Sequence, residues 1–177
     1  MTAEEIYDSV TNGGANDFAA VAEILRRQSP WCLIGGLAVN CYVEPVYTVD
    51  ADIVVVTEKL EAIVDELRAT GFGIEQFEHS LNARKPAGKL NVQFTQDKRY
   101  QDFIARAQLR DVLGQTVPVA DLKDIVAGKV WAWSDQQRRL SKRKKDELYL
   151  IRIGEAYPEL REKLPAEIVS QLEGGAQ

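Results

Sequence analysis

The sequence predicts an α/β protein of the α+β type, in which a small mixed sheet is flanked by helices and followed by a C-terminal helical extension. Two observations indicate this class. Short β-branched runs alternate with amphipathic helical segments up to Val119, and from Asp121 onward every apolar pattern is helical. We therefore expect an α/β domain over residues 1–119 and a helical extension over residues 120–177 that packs on it.

The first half of the chain alternates helices and strands. Helices are predicted over residues 17–28, 37–43 and 58–70, and strands over residues 31–34, 46–57 and 72–77. The first helix takes Asn16 or Asp17 as its cap and is ended by Pro30. The run from Ile53 to Val56 is β-branched throughout, which is typical of a central strand covered on both faces.

The second half continues the pattern and then becomes helical. A strand is predicted over residues 89–95 after a polar loop that includes residues 85–88, and a helix is predicted over residues 97–106. Residues 109–113 and 115–119 form a predicted hairpin around Gly114. Three further helices are predicted, at about residues 121–133, 141–156 and 165–172.

The composition is that of an ordinary globular domain. Of the 177 residues, 45% are hydrophobic and 28% are charged, and the formal net charge is −5. That charge argues against binding duplex nucleic acid over a broad face. No apolar run approaches the roughly 20 residues of a membrane-spanning helix, so we expect a cytoplasmic protein that does not contact a membrane. His79 with Cys32 and Cys41 cannot supply the four ligands of a zinc site, and both thiols are expected in the core.

A pair of aspartates stands at the start of the predicted central strand. Side chains on a strand alternate between its two faces, so Asp50 and Asp52 point the same way and lie a few ångströms apart. Two such carboxylates repel each other and cost stability without a counter-charge. A divalent metal ion supplies that charge, and Mg²⁺ is typically held by one or two carboxylates together with nucleotide phosphates. The pattern therefore predicts a Mg²⁺ (or Mn²⁺) site at these two aspartates.

A glycine pair, Gly35 and Gly36, directly follows the predicted strand at residues 31–34. Glycine lets backbone N–H groups approach a phosphate closely, and the helix that follows points its positive end at the anion. Taken singly, a Gly-Gly is more often a tight connection and an Asp-x-Asp a solvated surface turn. Their order along the chain favours a clamp for a nucleoside triphosphate, with the metal ion at the aspartates and the phosphates at the glycines.

The segments Ile34-Gly-Gly-Leu-Ala38 and Thr48-Val-Asp-Ala-Asp-Ile-Val-Val55 resemble the signature of the nucleotidyltransferase superfamily. They are similar to those of its small prokaryotic AbiEii-like members, and the resemblance extends over about residues 30–155. It implies a nucleotidyltransferase-like sheet and the transfer of a nucleoside monophosphate from a triphosphate to a hydroxyl group of RNA, protein or a small molecule. It also implies a place in a toxin–antitoxin or phage-defence system, and the chain could form a homodimer.

The resemblance assigns roles to particular residues. Asp50 and Asp52 would hold the metal ion and act in catalysis, and Gly35, Gly36 and Thr48 would bind the nucleotide. The chain departs from the family pattern at the third carboxylate, which active members supply from a later strand. That strand here carries Asn91 at the matching position, with Gln93 as the alternative. An amide can ligate a metal through its oxygen, but it cannot serve as a general base.

A second departure is Tyr47, which stands where many relatives have an arginine, so that a bidentate phosphate donor is lost. The two departures leave two other hypotheses open. One is a catalytically degenerate nucleotide-binding regulator or interaction module, and the other is a plain α/β domain whose aspartates cap a surface turn.

The predicted helix at residues 121–133 carries Lys129 within its apolar stripe. A lysine is rarely buried without a partner, so Lys129 either pairs with a carboxylate or reaches the triphosphate. The resemblance implies the second role, and it places Asp146 of the next helix in the same nucleotide site. Between them, residues 138–145 carry six positive charges, which form either a solvated helix face or a site for triphosphate or an RNA backbone.

Overall fold

The structure, a computed structural model, describes residues 3–28, 30–78 and 80–175, and it confirms the predicted fold class. Within these ranges, seven strands form one mixed sheet that is flanked by helices. The strands are β1 Trp31–Ile34, β2 Asp50–Val55, β3 Gly73–Gln76, β4 Ser80–Arg84, β5 Asn91–Thr95, β6 Gln108–Val112 and β7 Gln115–Val119. The α-helices are α1 Ala3–Thr11, α2 Gly14–Arg27, α3 Gly35–Val39, α4 Leu60–Ala69, α5 Leu122–Ser134, α6 Leu140–Ala156 and α7 Ala166–Gly174, and 3₁₀ turns span Thr57–Lys59, Lys98–Arg106 and Pro158–Lys163.

The strand order is β3-β4-β5-β2-β1-β7-β6. Strand β2 pairs antiparallel with β1 and parallel with β5, and β1 pairs parallel with β7. The last residue of β1 and the first residues of β2 and β5 therefore meet at one edge of the sheet. The register places Ile34 beside Asp52, and Asn91 beside Asp50. This edge brings together residues that are up to 57 positions apart in sequence.

The two faces of the β4–β5 part of the sheet differ in polarity. Leu81 and Ala83 of β4, with Val92 and Phe94 of β5, are buried in the main hydrophobic core. Because side chains alternate along a strand, the neighbouring polar side chains point to the opposite face, where they are only partly covered. That second face remains open beside the aspartate pair.

The C-terminal helices pack against the edge where the aspartates lie. Helix α5 begins after Asp121, whose side chain accepts a hydrogen bond from the backbone N–H of Lys123 at 2.9 Å. Helix α6 packs on α5 and contacts the segment that leads into β2. Its Arg152 donates to the carbonyl oxygen of Pro45 at 3.0 Å, and the hydroxyl of Tyr149 donates to that of Val46 at 3.4 Å.

Several predicted boundaries are wrong near the site. Helix α3 begins at Gly35 and ends at Val39, earlier than the predicted helix at 37–43. Strand β2 begins only at Asp50, later than the predicted start at residue 46. The carbonyl oxygen of Val49 accepts a hydrogen bond from the backbone N–H of Asn91 at 2.9 Å, whereas Val46 is held by a side chain. The amide of Asn40 makes hydrogen bonds of 3.0 and 2.9 Å to the backbone N–H and C=O of Val46.

Other differences lie farther away. Helix α2 begins at Gly14, so neither Asn16 nor Asp17 caps it, and the Asp17 carboxylate instead lies 3.2 Å from Lys85 Nζ. The polar loop predicted after residue 77 contains strand β4, and α1 was not predicted. Residues 98–106 form 3₁₀ turns rather than an α-helix.

The structure also bears on the composition-based expectations. Cys32 is buried, whereas Cys41 is partly exposed, and His79 lies outside the described residues. Among the helices that the structure describes, none is long and apolar enough to cross a membrane.

Candidate functional site

A cavity of about 230 Å³ lies at the sheet edge where β1, β2 and β5 meet. Five of the residues that the sequence predicted for the site line it: Gly35, Asp50, Asp52, Lys129 and Gln93, the alternative to Asn91. The remaining lining comes mainly from α5, from the start of α6 and from the 3₁₀ segment before β6: Ile34, Thr95, Tyr100, Phe103, Asp124, Ile125, Gly128, Ala132, Arg138 and Lys142. The cavity therefore has an acidic wall from the sheet. The opposite wall, from the C-terminal helices and the turn between them, is basic except for Asp124, whose carboxylate is paired with Arg106 at 2.8 Å.

Asp50 is held by two hydrogen bonds. Its Oδ2 accepts from Lys142 Nζ at 2.6 Å, and its Oδ1 accepts from Asn91 Nδ2 at 3.4 Å. Partial burial works to raise the pKa of Asp50, but the hydrogen bond and charge of Lys142, with the Asn91 amide, outweigh it and the pKa is lowered. Lys142 belongs to the basic run at residues 138–145, yet nothing in the sequence distinguished it from the other five cations of that run.

Asp52 is in the opposite electrostatic situation. Burial raises its pKa, and the neighbouring Asp50 carboxylate raises it further, although the charge of Lys129 works against both. Lys142 is thus bonded directly to Asp50, whereas Lys129, Arg138 and Lys142 act on Asp52 through their charge. The predicted repulsion between the two carboxylates is only partly relieved by the protein, so the site favours an added cation.

The donor set decides what kind of metal ion the site could hold. Across residues 3–28, 30–78 and 80–175, no three or more His, Cys, Asp or Glu side chains gather into a metal cage. What the protein offers is the two carboxylates of Asp50 and Asp52 and, beside them, the amide of Asn91. That set fits Mg²⁺, which commonly takes one or two carboxylates and completes its octahedral shell with water and phosphate oxygens.

Gly35 is required by two independent constraints. Its φ of +71° lies in the left-handed region that side chains disfavour. A Cβ atom built on it would also lie 1.9 Å from Asp52 Oδ2. The absence of a side chain at this position therefore leaves room for the Asp52 carboxylate.

Gly36 and Thr48 contribute to packing around the site and not to the lining of the cavity. A Cβ on Gly36 would lie 2.7 Å from the Tyr149 hydroxyl, so this glycine lets α6 approach the sheet. The buried Thr48 accepts a hydrogen bond from the backbone N–H of Asp50 at 3.3 Å and orients the start of β2. Contact of either residue with a nucleotide stays a prediction.

Gly35→Ala is expected to lower both the melting temperature and the affinity for nucleotide with Mg²⁺. The new methyl group must displace the Asp52 carboxylate, and the positive φ adds backbone strain; together we expect about 1–3 kcal/mol of lost stability. Thermal unfolding with and without nucleotide measures both effects.

Gly71→Ala is the matched control, because Gly71 has a φ of +90° and a methyl group there would extend into open space. It carries the same kind of backbone strain without touching the site. Equal loss of nucleotide affinity in the two variants would contradict the steric account.

Lys129 and Asp146 form a buried ion pair behind the cavity wall. Lys129 Nζ donates to Asp146 Oδ1 at 2.7 Å, and Arg138 Nε donates to Asp146 Oδ2 at 3.0 Å. Asp146 is only 2% exposed and Lys129 8%. The ammonium group of Lys129 also lies 4.5 Å from the centre of the Tyr149 ring. Lys129 therefore pairs with a carboxylate and also lines the cavity. Its contact with a triphosphate stays a prediction.

An aromatic cluster borders the cavity beside Arg138. The Tyr100 ring lies edge-on to Phe103 and Trp131, with centroids 5.2 and 5.3 Å apart. The guanidinium carbon of Arg99 lies 4.8 Å from the centre of the Trp131 ring. A shallow cavity of about 480 Å³ runs along this cluster and shares Tyr100 and Arg138 with the first cavity. Its flat aromatic and cationic walls are suited to a base or sugar beside the phosphate-sized cavity.

The chain has the fold of the nucleotidyltransferases, as comparison with solved structures shows. It superposes on the antibiotic-resistance factor ANT(2″)-Ia in complex with adenylyl-2″-tobramycin with a TM-score of 0.59, at 13% identity, over 92% of this chain and 98% of that chain. It also superposes on an antigenic nucleotidyltransferase-like protein from Paracoccidioides brasiliensis with a TM-score of 0.58, at 19% identity, over 93% of this chain and 91% of that one. No family profile and no curated protein sequence matches the chain. These superpositions establish the fold, and the likeness to the AbiEii-like members stays a prediction.

Proposed function

We propose that this protein transfers a nucleoside monophosphate from a nucleoside triphosphate to a hydroxyl group of an acceptor. The observation that carries the proposal is the pairing of an acidic and a basic wall around one cavity. Asp50 and Asp52 lie on one side, and three cations, Lys129, Arg138 and Lys142, lie on the other. A triphosphate with its Mg²⁺ ion matches this arrangement, because the metal suits the carboxylates and the phosphate oxygens suit the cations.

The fold neighbours support this type of reaction. The ANT(2″)-Ia structure contains adenylyl-2″-tobramycin, the product of joining a nucleotide group to an acceptor. A place in a toxin–antitoxin or phage-defence system, a cytoplasmic location and a homodimer are further proposals that follow only from the sequence.

The proposed roles follow from position. Asp50 and Asp52 would hold Mg²⁺ or Mn²⁺, which when bound neutralises phosphate charge and aligns the reacting phosphorus. Lys129, Arg138 and Lys142 bind phosphate oxygens and stabilise the negative charge that builds up on the departing diphosphate. In the transfer, a bond forms between the acceptor oxygen and the α-phosphorus, the bond from that phosphorus to the diphosphate breaks, and the hydroxyl proton is released.

The residue beside Asp50 on strand β5 limits the expected rate of nucleotidyl transfer. This residue is Asn91, and an amide cannot accept the hydroxyl proton. General base catalysis typically contributes about 10²–10⁴-fold, so we expect slow turnover compared with enzymes that carry a carboxylate there. The same observation favours the second candidate function, a regulator that binds a nucleotide without consuming it.

The deciding experiment measures nucleotide binding and transfer in parallel. The purified chain is mixed with each of the four nucleoside triphosphates, labelled at the α-phosphate, with Mg²⁺ or Mn²⁺ and a panel of acceptors, and its melting temperature is recorded with the same nucleotides. We expect a raised melting temperature and labelled acceptor for the wild type, and no labelled acceptor for Asp50→Ala. Asp65→Ala, at an exposed position of α4, is the control.

The outcomes separate the candidates. A raised melting temperature without product would favour the regulator. If no nucleotide changes the melting temperature, both functions are refuted.

Lys142→Gln is expected to have opposite effects on two ligands. In the free protein the Lys142 ammonium neutralises Asp50, so its removal frees that carboxylate and Mn²⁺ alone should bind several-fold more tightly. Triphosphate binding should weaken, because one of the cations of the basic wall is lost. Titration calorimetry with Mn²⁺ and with a non-hydrolysable triphosphate measures the two affinities.

The control for this prediction is Lys144→Gln. Lys144 lies in the same basic run but pairs with Glu147 at 3.0 Å, and it is exposed. Changes of the same sign in both ligand affinities for Lys142→Gln would show that Lys142 does not compete with the metal ion.

A further inference from the structure

A groove of about 600 Å³ lies on the open face of β3, β4 and β5, next to the aspartate pair. Asp50 lines both this groove and the cavity described above, and Asn91 lines the groove beside it. A molecule in the groove would therefore reach Asp50 from the side away from α5 and α6, which carry the basic wall. That is the side from which an acceptor must approach if the triphosphate lies in the cavity, so the inference rests on the proposed function.

The sheet register extends the polar face from the aspartates into the groove. Gln93 of β5 lies beside Asp52, Asn82 of β4 lies beside Gln93, and Glu75 of β3 lies beside Asn82. These four side chains form a continuous polar row across the sheet on its uncovered face. The row connects the groove to the reacting centre without an intervening helix.

The groove is lined by more cations than anions. Arg84, Lys85 and Lys89 line it, against Glu75 and Asp50. Asp50 is bonded to Lys142 and Lys85 is paired with Asp17, which leaves Arg84 and Lys89 against Glu75. Arg84 is exposed and forms no ion pair within the described residues.

The other two cations are held in place. Lys85 Nζ lies 3.2 Å from an Asp17 carboxylate oxygen, and Lys89 Nζ donates to the carbonyl oxygen of Val10 at 3.2 Å. The excess of positive charge along the groove attracts phosphate groups and repels a positively charged molecule such as an aminoglycoside. An exposed arginine can also bind one phosphate through two hydrogen bonds.

Asn82 adds a second requirement. Its Oδ1 lies buried in the groove lining and accepts no hydrogen bond from any residue that the structure describes. A buried acceptor without a donor is unfavourable, so a turn of this side chain toward the groove, where a ligand can donate to it, is favoured. An ionised phosphate has no proton to donate, whereas a sugar hydroxyl does. The groove therefore suits a group that carries hydroxyls and phosphates close together.

We propose that this groove is the acceptor subsite and that it takes the hydroxyl-bearing end of a single RNA strand. Ribose hydroxyls satisfy Asn82 and present the reacting oxygen near Asp50, and the adjoining phosphates lie along Arg84, Lys85 and Lys89. A cationic aminoglycoside such as tobramycin is disfavoured by the same charges. The groove therefore favours a different class of acceptor from the aminoglycoside of ANT(2″)-Ia, while the proposed reaction stays the same.

Binding is tested without turnover. Fluorescence anisotropy with a short single-stranded RNA, labelled at its 5′ end, compares the full wild-type chain with Arg84→Glu and Lys89→Gln. We expect Arg84→Glu to weaken binding by roughly tenfold and to reduce its dependence on salt. Arg68→Glu is the matched control, since Arg68 is an exposed arginine on α4, away from the groove. Wild-type RNA affinity in Arg84→Glu, or an equal loss in Arg68→Glu, would overturn the assignment.

A transfer assay identifies which class of acceptor supplies the phosphate groups that bind in the groove. Labelled triphosphate is offered with the RNA carrying a free 3′ hydroxyl, the same RNA blocked there by phosphate, a phosphorylated sugar, and tobramycin. Label on the unblocked RNA alone supports the proposal. Label on the phosphorylated sugar and not on RNA keeps the phosphate-binding groove but replaces RNA with a small molecule, and label on tobramycin overturns the proposal.

The two assays also separate this inference from the function beneath it. RNA binding that depends on Arg84, with no acceptor ever labelled, would refute the transferase and leave the groove as an RNA site. Transfer to any acceptor at an unchanged rate in Arg84→Glu would refute the groove and leave the transferase standing.

Discussion

Asp52→Asn is expected to abolish nucleotidyl transfer while making the protein more stable at neutral pH. Burial and the Asp50 carboxylate raise the pKa of Asp52, so its ionised form is less favourable in the folded chain than in the unfolded chain. That penalty is present above the folded pKa and disappears as the pH falls below the unfolded value. The stabilising effect of asparagine should therefore be largest near pH 7 and shrink on acidification. Transfer should fall by roughly 10²–10³-fold or more, because a charge that organises the reacting phosphates is lost.

Asp50→Asn provides the contrast. The bond from Lys142 lowers the pKa of Asp50, so the ionised form is favoured by folding, and its loss should reduce stability at pH 7. Both variants are expected to be inactive, but the free energy of unfolding measured with urea should rise for Asp52→Asn and fall for Asp50→Asn. If both substitutions change the free energy of unfolding with the same sign, the electrostatic asymmetry between the two aspartates is refuted.

Asp146→Ala is expected to cause the largest loss of stability of any single substitution proposed for this chain. It leaves Lys129 buried without its carboxylate and removes the partner of Arg138. Breaking a buried ion pair from one side typically costs about 3–5 kcal/mol. For a chain of this length we expect the melting temperature to fall by about 10 °C. Thermal and urea unfolding measure the loss.

The double variant Lys129→Met with Asp146→Leu separates stability from binding. Replacing both partners by apolar groups removes the unpaired charge, and we expect most of the lost stability to return. Arg138 is partly exposed and can turn to solvent. Triphosphate affinity should stay low, because Lys129 lines the cavity.

Asp65→Ala, which breaks an exposed pair with Arg68 at 3.6 Å, is the stability control and should cost less than about 1 kcal/mol. Full recovery of triphosphate affinity in the double variant would show that Lys129 serves stability alone.

The acidic wall of the site could be predicted from local sequence patterns. The two-residue period of a strand places Asp50 and Asp52 on one face, and the glycine pair between two apolar runs predicts the sharp turn beside them. The β-branched run after Asp52 identifies a central strand. These signals act over a few residues, so a single sequence carries them, and the fold class follows from their alternation with helical patterns.

The sequence could not predict which cations of the basic run face the cavity. Lys142 is bonded to a carboxylate 92 positions away, and which cation of the basic run faces the cavity depends on how α6 is rotated. That rotation is set by tertiary packing, in which the hydroxyl of Tyr149 fits against the bare Cα of Gly36. Strand β4 was missed for a related reason. Its apolar side consists of Leu81 and Ala83 alone, which is too short a repeat to stand out from a polar loop.

The exposed turn over residues 135–139 joins the two helices that hold the basic wall. Lys129 lies before it, and Lys142 and Asp146 lie after it, so one cut in this turn would divide the phosphate-binding charges between two polypeptides. The sheet and its aspartates would remain on the first fragment. Two fragments divided in this turn and expressed separately should therefore each lack nucleotide binding and regain it when they are mixed.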